Sequence, residues 1–309
     1  MNLTVTIIIP THARYGRLTE AVDSALVQSV LPDEIIIVHD GPGEVPAEIE
    51  SKVVASGIKF KLINRTEPSL TKNRNAGIES ARSEIVIFGE DDAIFDLGFV
   101  KLVKEIFSAD LDNKISAIGA NIIEPHLHTK AGKIWKVLST ICCQFRWRPR
   151  VCKARYVNFS SAMPGRLKPA LKTAGAGLCL RLPKINGARF NENLTGAGFG
   201  EDREFSFNLT RKCAVFYSPD LKVTHAPEPG GRGDMQQRGE IYIENLCEIF
   251  RSSIEQGAGA RMLMIWGFIG TFLLYLAFGF VGDRSNWSFA KGMLKRSADK
   301  IISKFRSMI

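Results

Sequence analysis

Two acidic clusters in this chain have the residue types and spacing for chemistry. Glu90-Asp91-Asp92 directly follows the apolar run Ile85-Val86-Ile87-Phe88, and Glu201-Asp202 directly follows a glycine-rich stretch at 196–200. Adjacent carboxylates repel, so a fold that gathers them supplies a counter-charge. A divalent cation on a phosphate-bearing ligand is the commonest such answer. The first cluster ends an apolar run, and open α/β sheets place their ligands beyond the carboxyl ends of such strands. The second opens an amphipathic run with Phe205 and Leu209, where acids also suit the start of a helix.

The elements that must position these clusters read as repeated strand-then-helix units. Residues 5–9 are a continuous β-branched run ended by Pro10, the pattern of a strand buried on both faces. Residues 15–30 have helical spacing, with Leu18, Val22, Ala25, Leu26 and Val30 on one side and Pro32 as the stop. Residues 34–38 predict a second strand, followed by the turn cluster His39-Asp40-Gly41-Pro42-Gly43. A third strand over 58–63, a helix over 70–81 and a fourth strand over 84–88 complete the pattern. This rhythm predicts an α/β fold with a parallel, right-handed, doubly wound sheet. Pro10-Thr11, Asp40-Gly41, Asn64-Arg65 and Glu90–Asp92 all fall at its ligand edge. No GxGxxG follows the first strand and no lysine-bearing phosphate loop occurs, which argues against ordinary dinucleotide and P-loop sites.

Composition sets the remaining bounds. The 309 residues are 45% hydrophobic and 24% charged, enough for one large domain or a domain with an appendage. The net charge of +9 points to an anionic partner: nucleotide, phospholipid or nucleic acid. The six cysteines form no CxxC pair, so neither a zinc site nor a dense disulfide frame is expected, and reduced thiols in a cytosolic compartment are. The amino-terminal residues carry no signal-peptide pattern.

Several blocks resemble, in order, those of family 2 glycosyltransferases: Val5-Thr6-Ile7-Ile8-Ile9-Pro10-Thr11, Glu34-Ile35-Ile36-Ile37-Val38-His39-Asp40-Gly41, Asn73-Arg74-Asn75-Ala76-Gly77 and Phe88-Gly89-Glu90-Asp91-Asp92. The likeness continues with Phe190-Asn191-Glu192-Asn193-Leu194-Thr195-Gly196, Gly200-Glu201-Asp202-Arg203-Glu204-Phe205, and the run from Tyr217 to His225. That resemblance implies the GT-A fold and a nucleotide-diphosphate sugar donor. It implies a catalytic domain over 1–235, with a nucleotide-sugar half at 1–120 and an acceptor half at 121–235. Pro10 and Thr11 would bind substrate and Asp40 would meet the nucleotide's base or ribose, although His39 stands where the family often has another acid. Arg74 would grip the diphosphate with its planar guanidinium, and Asn75 would orient the acidic loop. Glu90, Asp91 and Asp92 resemble the family's Asp-x-Asp element. Asp92 is the first choice for holding Mn²⁺ or Mg²⁺, with Glu90 and His225 as further ligands. Glu201-Asp202 resembles the acceptor-side pair: Asp202 would be the general base of an inverting displacement, with Glu201 in support. Gly177 would let the acceptor approach the backbone, an arrangement that strand packing explains as well. Arg232, in the glycine-rich loop 227–233, would close over the donor phosphates.

The rest of the chain points to a membrane surface. Residues 125–191 contain no acid but many Lys and Arg interleaved with Trp135 and Trp147, and 134–145 has the pattern of an amphipathic helix. No nucleic-acid motif accompanies these charges, so no nucleic acid is expected. Residues 262–282 are uncharged and apolar, about the length that crosses a bilayer. Basic residues follow them, and the donor is cytosolic, so both flanks favour one side. The region 236–309 is therefore expected to be helical and held at the cytoplasmic face of a membrane, either as an in-plane or re-entrant pair of helices or as a single span. The 287–309 tail offers Phe289, Met293, Ile301, Ile302 and Phe305 to lipid. A lipid-linked glycan is the acceptor that such an enzyme meets most readily.

Overall fold

A computed structural model describes residues 3–124, 137–138, 154, 163–196, 199–225, 234–253, 257–281 and 283–306. Arg232 and the 227–233 loop, Trp135, Trp147, nearly all of 134–145, and the side chains of Ile301, Ile302 and Phe305 lie outside what it describes. The chain forms two compact units. The first comprises Met1–Pro125, Arg148–Glu192 and Glu201–Gly231; the second comprises His126–Trp147, Asn193–Gly200 and Arg232–Ile309.

The first unit is built on β1 (Val5–Thr11), α1 (Tyr15–Leu26), β2 (Glu34–His39), α2 (Ala47–Ala55), β3 (Lys59–Asn64), α3 (Leu70–Ser80), β4 (Ile85–Phe88), β5 (Ala93–Phe95), α4 (Phe99–Ala109), β6 (Ala117–Ile123), β7 (Lys168–Pro169), β8 (Cys179–Arg181), α5 (Glu201–Lys212) and β9 (Val215–His225). Its sheet runs β3-β2-β1-β4-β8-β6-β9-β5, with β7 paired to β9. The expected parallel half is there: β3, β2, β1 and β4 are mutually parallel, and β1 and β4 are buried along their whole length. The edge strand β3 exposes Lys59 and Lys61, charges that discourage pairing with another chain.

Beyond β4 the sheet becomes mixed, as the GT-A fold implies. The strand β8 pairs antiparallel with both β4 and β6, and β9 runs parallel to β6 but antiparallel to β5. Reversing direction at β8 turns the chain's second half back across the same sheet, which brings the end of β9 to the acidic turn after β4. The first helix also stops at Leu26 rather than Val30. Gln28 is buried, its amide donates to the carbonyls of Ser24 and Asp96, and its Oε1 accepts from the Val100 amide. Those bonds hold 28–30 to the 96–100 segment and end the helical turn.

The second unit contains α6 (Met235–Ser253), α7 (Ala258–Val281) and α8 (Ser285–Arg306). Contacts of Gln236 with Gly292 and Glu240 with Lys295 make α6 and α8 parallel, whereas Tyr275 on Phe289 and Gly279 on Trp287 make α7 antiparallel to α8. Gly239 and Gly292 face each other's helix so closely that a Cβ at either would strike backbone atoms. Ile243, Phe289 and Met293 form the small core, with Phe199, Tyr242 and Phe272 packed around it. One face of α7 is packed at Gly267, Gly270, Thr271 and Leu274; the other exposes Met262, Ile265, Trp266, Ile269, Leu273 and Phe280.

Candidate functional site

The carboxyl ends of β1, β2 and β4 bring the first set of polar residues together. The loop after β1 is held in a tight turn, with Ala13 at φ 56°, and packs on the turn after β2: a Cβ at Gly41 would lie 2.6 Å from the Ala13 nitrogen. Asp40 is buried there. Its Oδ1 lies 2.8 Å from His12 Nδ1, and its Oδ2 accepts from the Ser69 amide and Asn73 Nδ2, both at 2.7 Å. Asp40 therefore fixes the start of α3, whose cap is Ser69. His39, where a second acid was a possibility, faces Tyr15 and Asn64.

The acidic turn between β4 and β5 is a charge network. Arg14, which the sequence reading missed, forks onto it: Nη1 bonds Asp92 at 2.7 Å, Nε bonds Asp91 at 3.1 Å, and Nη2 also reaches Asp91. Thr11 donates its hydroxyl to Asp91 at 2.9 Å. Burial outweighs these partners and pushes the Asp91 carboxyl up to about 6. At Asp92 burial pushes the same way, but His225 and Arg14 prevail and its pKa is lowered.

Register explains why His225 is here. The pairing of β5 with β9 sets Ala93 opposite His225, so the end of β9 arrives beside Asp92. The buried Nε2 of His225 lies 3.2 Å from Asp92 Oδ1 and 3.5 Å from Glu90 Oε2, while Nδ1 lies 3.6 Å from Glu124. Hydrogen bonding to Asp92, then Glu124, pushes the imidazole up to about 10. Glu90, Asp92 and His225 each offer one ligand atom within 4.8 Å of the others. Two carboxylate oxygens and an imidazole nitrogen fit a divalent cation, and the nitrogen suits Mn²⁺ better than Mg²⁺.

Arg74 joins the two acidic clusters. It is fully buried, with Nη2 2.8 Å from Glu90 and Nη1 2.9 Å from Glu201. Its guanidinium lies over Phe190 at 5.1 Å, and a Cβ at Gly175 would run into it, so the glycine is what makes room. Burial works against the charge, but Glu201, Glu90 and Asp202 outweigh it and raise the arginine's pKa. Burial, then Asp202, pushes Glu201 up to about 8. The side chain of Asp202 is half-buried in the first turn of α5, where its Oδ1 accepts from the Arg203 amide at 2.7 Å.

The structure also shows what holds the other residues singled out from the sequence. The guanidinium of Arg74 bonds two carboxylates, Glu90 and Glu201. The amide of Asn75 bonds the Phe190 backbone at both ends and Glu192, so it anchors the 190–192 segment. Gly177 has φ 69°, and a side chain there would strike Ala120 and Val223, so both backbone conformation and packing call for glycine. Pro10 and Thr11 are buried within β1, with Thr11 turned to Asp91. His12 and Arg14 followed the first strand at the expected ligand edge, the one signal that would have found them.

Residues 6–154 match the family model Glycosyl transferase family 2. Two proteins of Bacillus subtilis, the uncharacterized glycosyltransferases EpsJ and YwdF, are 30% and 34% identical to the chain over 109 residues each. These stretches cover 35% and 34% of this chain but only 32% and 39% of those proteins. Among solved structures, S. aureus TarS in complex with UDP superposes with a TM-score of 0.53 at 14% identity, over 92% of this chain and 74% of that one. The mannosyltransferase PcManGT from Pyrobaculum calidifontis, in complex with GDP-Man and Mn²⁺, gives a TM-score of 0.53 at 14% identity over 100% of this chain and 81% of that one. The sheet, the acidic turn on its carboxyl edge and these likenesses agree: residues 6–154 carry the match to Glycosyl transferase family 2, and the fold is that of GT-A glycosyltransferases.

Proposed function

We propose that the protein is a membrane-associated, metal-dependent, inverting glycosyltransferase that moves a sugar from a nucleoside-diphosphate donor to a lipid-linked glycan. The observation that carries this reading is Arg74, which ties the cation-binding turn at Glu90 to the acceptor-side pair at Glu201 within a single network. Neighbouring folds bind UDP, or GDP-Man with Mn²⁺, which supports the donor class. Pro10, Thr11 and Asp40 would contact the donor, and Glu90, Asp92 and His225 would hold the cation. When bound, a divalent cation neutralises charge on the departing diphosphate. Asp202 takes the proton of the acceptor hydroxyl as its oxygen bonds to the anomeric carbon. The bond from that carbon to the phosphate oxygen breaks with its electron pair going to the nucleoside diphosphate. Attack opposite the leaving group inverts the configuration. Transfer from a panel of UDP- and GDP-sugars to a membrane lipid extract, with Mn²⁺, Mg²⁺ or EDTA, tests the reading; no transfer from any donor would overturn it.

The metal site gives a separate expectation. Metal-free His225 keeps its proton at neutral pH, since its pKa is pushed up to about 10. A cation on the imidazole displaces that proton, so Mn²⁺ binding at pH 7 releases about one proton and tightens as pH rises. Calorimetry in buffers of different ionisation heat reads the release directly. His225→Gln abolishes it and weakens Mn²⁺ by at least about tenfold, the cost of losing even an outer-shell partner of a ligand.

The second unit supports the membrane part. The side of α7 opposite its packed face is a continuous apolar stripe bearing Trp266, and Arg261 and Arg284 flank it. Because the other side is packed, an in-plane arrangement in one leaflet fits better than a single crossing. The protein is expected to co-sediment with phosphatidylglycerol-rich vesicles more than with phosphatidylcholine vesicles, less so at high salt. Trp266→Glu with Ile269→Glu lowers that partition about tenfold or more, given the apolar area lost. Equal binding by this double variant would reject the stripe as the lipid contact.

A further inference from the structure

The stretch of chain that leads into Glu201 and Asp202 belongs to the helical unit. Asn245, in the middle of α6, is 1% exposed. Its Oδ1 accepts from the Thr195 amide at 2.9 Å and the Thr195 hydroxyl at 3.3 Å, while its Nδ2 donates to the carbonyls of Thr195 at 3.1 Å and Phe199 at 3.4 Å. One side chain thus satisfies three backbone groups of the loop, and their donor and acceptor order fixes which way the amide points. Around it the loop is seated by shape. Gly196 and Gly200 have φ of 64° and 89°, and a Cβ at either would press on Ile241 or Ile249 of α6. Phe199 meets Tyr242 edge-on at 6.0 Å, and Tyr242 bonds Thr271 of α7. Thr195 and Asn193 reach Glu244 and Glu248 on the same face of α6.

A buried asparagine inside a helix lowers helical propensity and costs free energy unless its amide is fully bonded. Here the bonds go to a loop whose last residue, Gly200, is joined directly to Glu201. We infer that Asn245 is a positioning residue for transfer: through Thr195 and Phe199, the carboxyl-terminal helices set the loop that aims Asp202 at the acceptor. The inference rests on the glycosyltransferase reading for its activity measurement.

The test uses the full-length protein and the variants Asn245→Ala and Asn245→Asp. Transfer to the lipid extract should fall on the order of 10- to 100-fold in Asn245→Ala, the cost of misplacing a reacting group by about 1 Å. Affinity for UDP or GDP with Mn²⁺ should stay within about twofold, a split that general loss of structure would not produce. Asn245→Asp keeps the two acceptor bonds to Thr195 and loses both donor bonds, so its activity should lie between. Hydrogen exchange should quicken at residues 195–202 and stay unchanged across β1, β2 and β4. Unchanged transfer by Asn245→Ala overturns the inference, as does a fall in transfer matched by an equal fall in nucleotide affinity. If the native protein transfers no sugar at all, the functional reading has failed. The clasp is then judged by exchange alone, and a freely exchanging Thr195 amide in the native protein refutes it.

Discussion

Asp202→Asn is expected to lower transfer by on the order of 10³-fold while leaving nucleotide affinity unchanged, because the amide keeps the shape of the side chain but cannot take a proton. Its Oδ1 still accepts from the Arg203 amide, so the first turn of α5 is preserved. The neighbour serves as the control. The carboxyl of Glu201 is buried, bonded to Arg74 and pushed up to about 8, so near neutral pH it holds its own proton and is a poor base. Glu201→Gln is a neutral mimic of the protonated acid, retains an oxygen for Arg74 and should cost about tenfold or less, the scale of one altered hydrogen bond. Initial rates at saturating donor, with a parallel nucleotide titration, separate the two. If Glu201→Gln proves the more damaging change, the base has been assigned to the wrong carboxylate.

How much of this was readable beforehand follows from where each residue's environment is made. Strands β1, β2 and β4 are buried on both faces, so runs such as Ile7-Ile8-Ile9 and Ile35-Ile36-Ile37 announce themselves without any partner in view. Their carboxyl ends then locate Asp40 and Glu90–Asp92. The strands that close the sheet carry no such signature: β5 and β8 are three residues each, and their identity comes from the strands beside them. The antiparallel pairing that sets His225 next to Ala93 joins segments more than a hundred residues apart and leaves no periodic trace. Arg74 is the sharpest case. On α3 it stands between Asn73 and Asn75, a polar run that reads as a solvated face. Its burial is created by Phe190 and by the missing side chain of Gly175, about a hundred residues further on. A charge whose surroundings come from distant segments is invisible to local pattern, and so is the link it makes between the two acidic clusters. The same holds for Asn245, whose partners in the 193–200 loop lie some fifty residues before it.

Removing that link should have the largest effect on stability. Arg74→Met is expected to destabilise the sheet unit by about 3–5 kcal/mol at pH 7.5, since breaking a buried pair strips Glu90 of its counter-charge and the buried Glu201 carboxyl of its hydrogen-bond donor. Urea unfolding followed by far-UV circular dichroism measures it. The pH dependence gives the sign. In the native protein the folded-state pKa of Glu201 is about 8 against an ordinary 4.5, so the folded state binds that proton more tightly. The associated stability is complete below about 4.5 and is lost as pH rises through about 8. Without Arg74 the Glu201 pKa moves further up and the loss on raising the pH becomes larger. The variant should therefore be closest to native stability near pH 5 and fall increasingly behind toward pH 9. Arg74→Lys should sit between, because one ammonium on a flexible stem cannot fork to Glu90 and Glu201 together. A gap between Arg74→Met and the native protein that widened toward acid would mean that the buried carboxylates need no cation between them. The two acidic clusters would then have to be held together by packing alone.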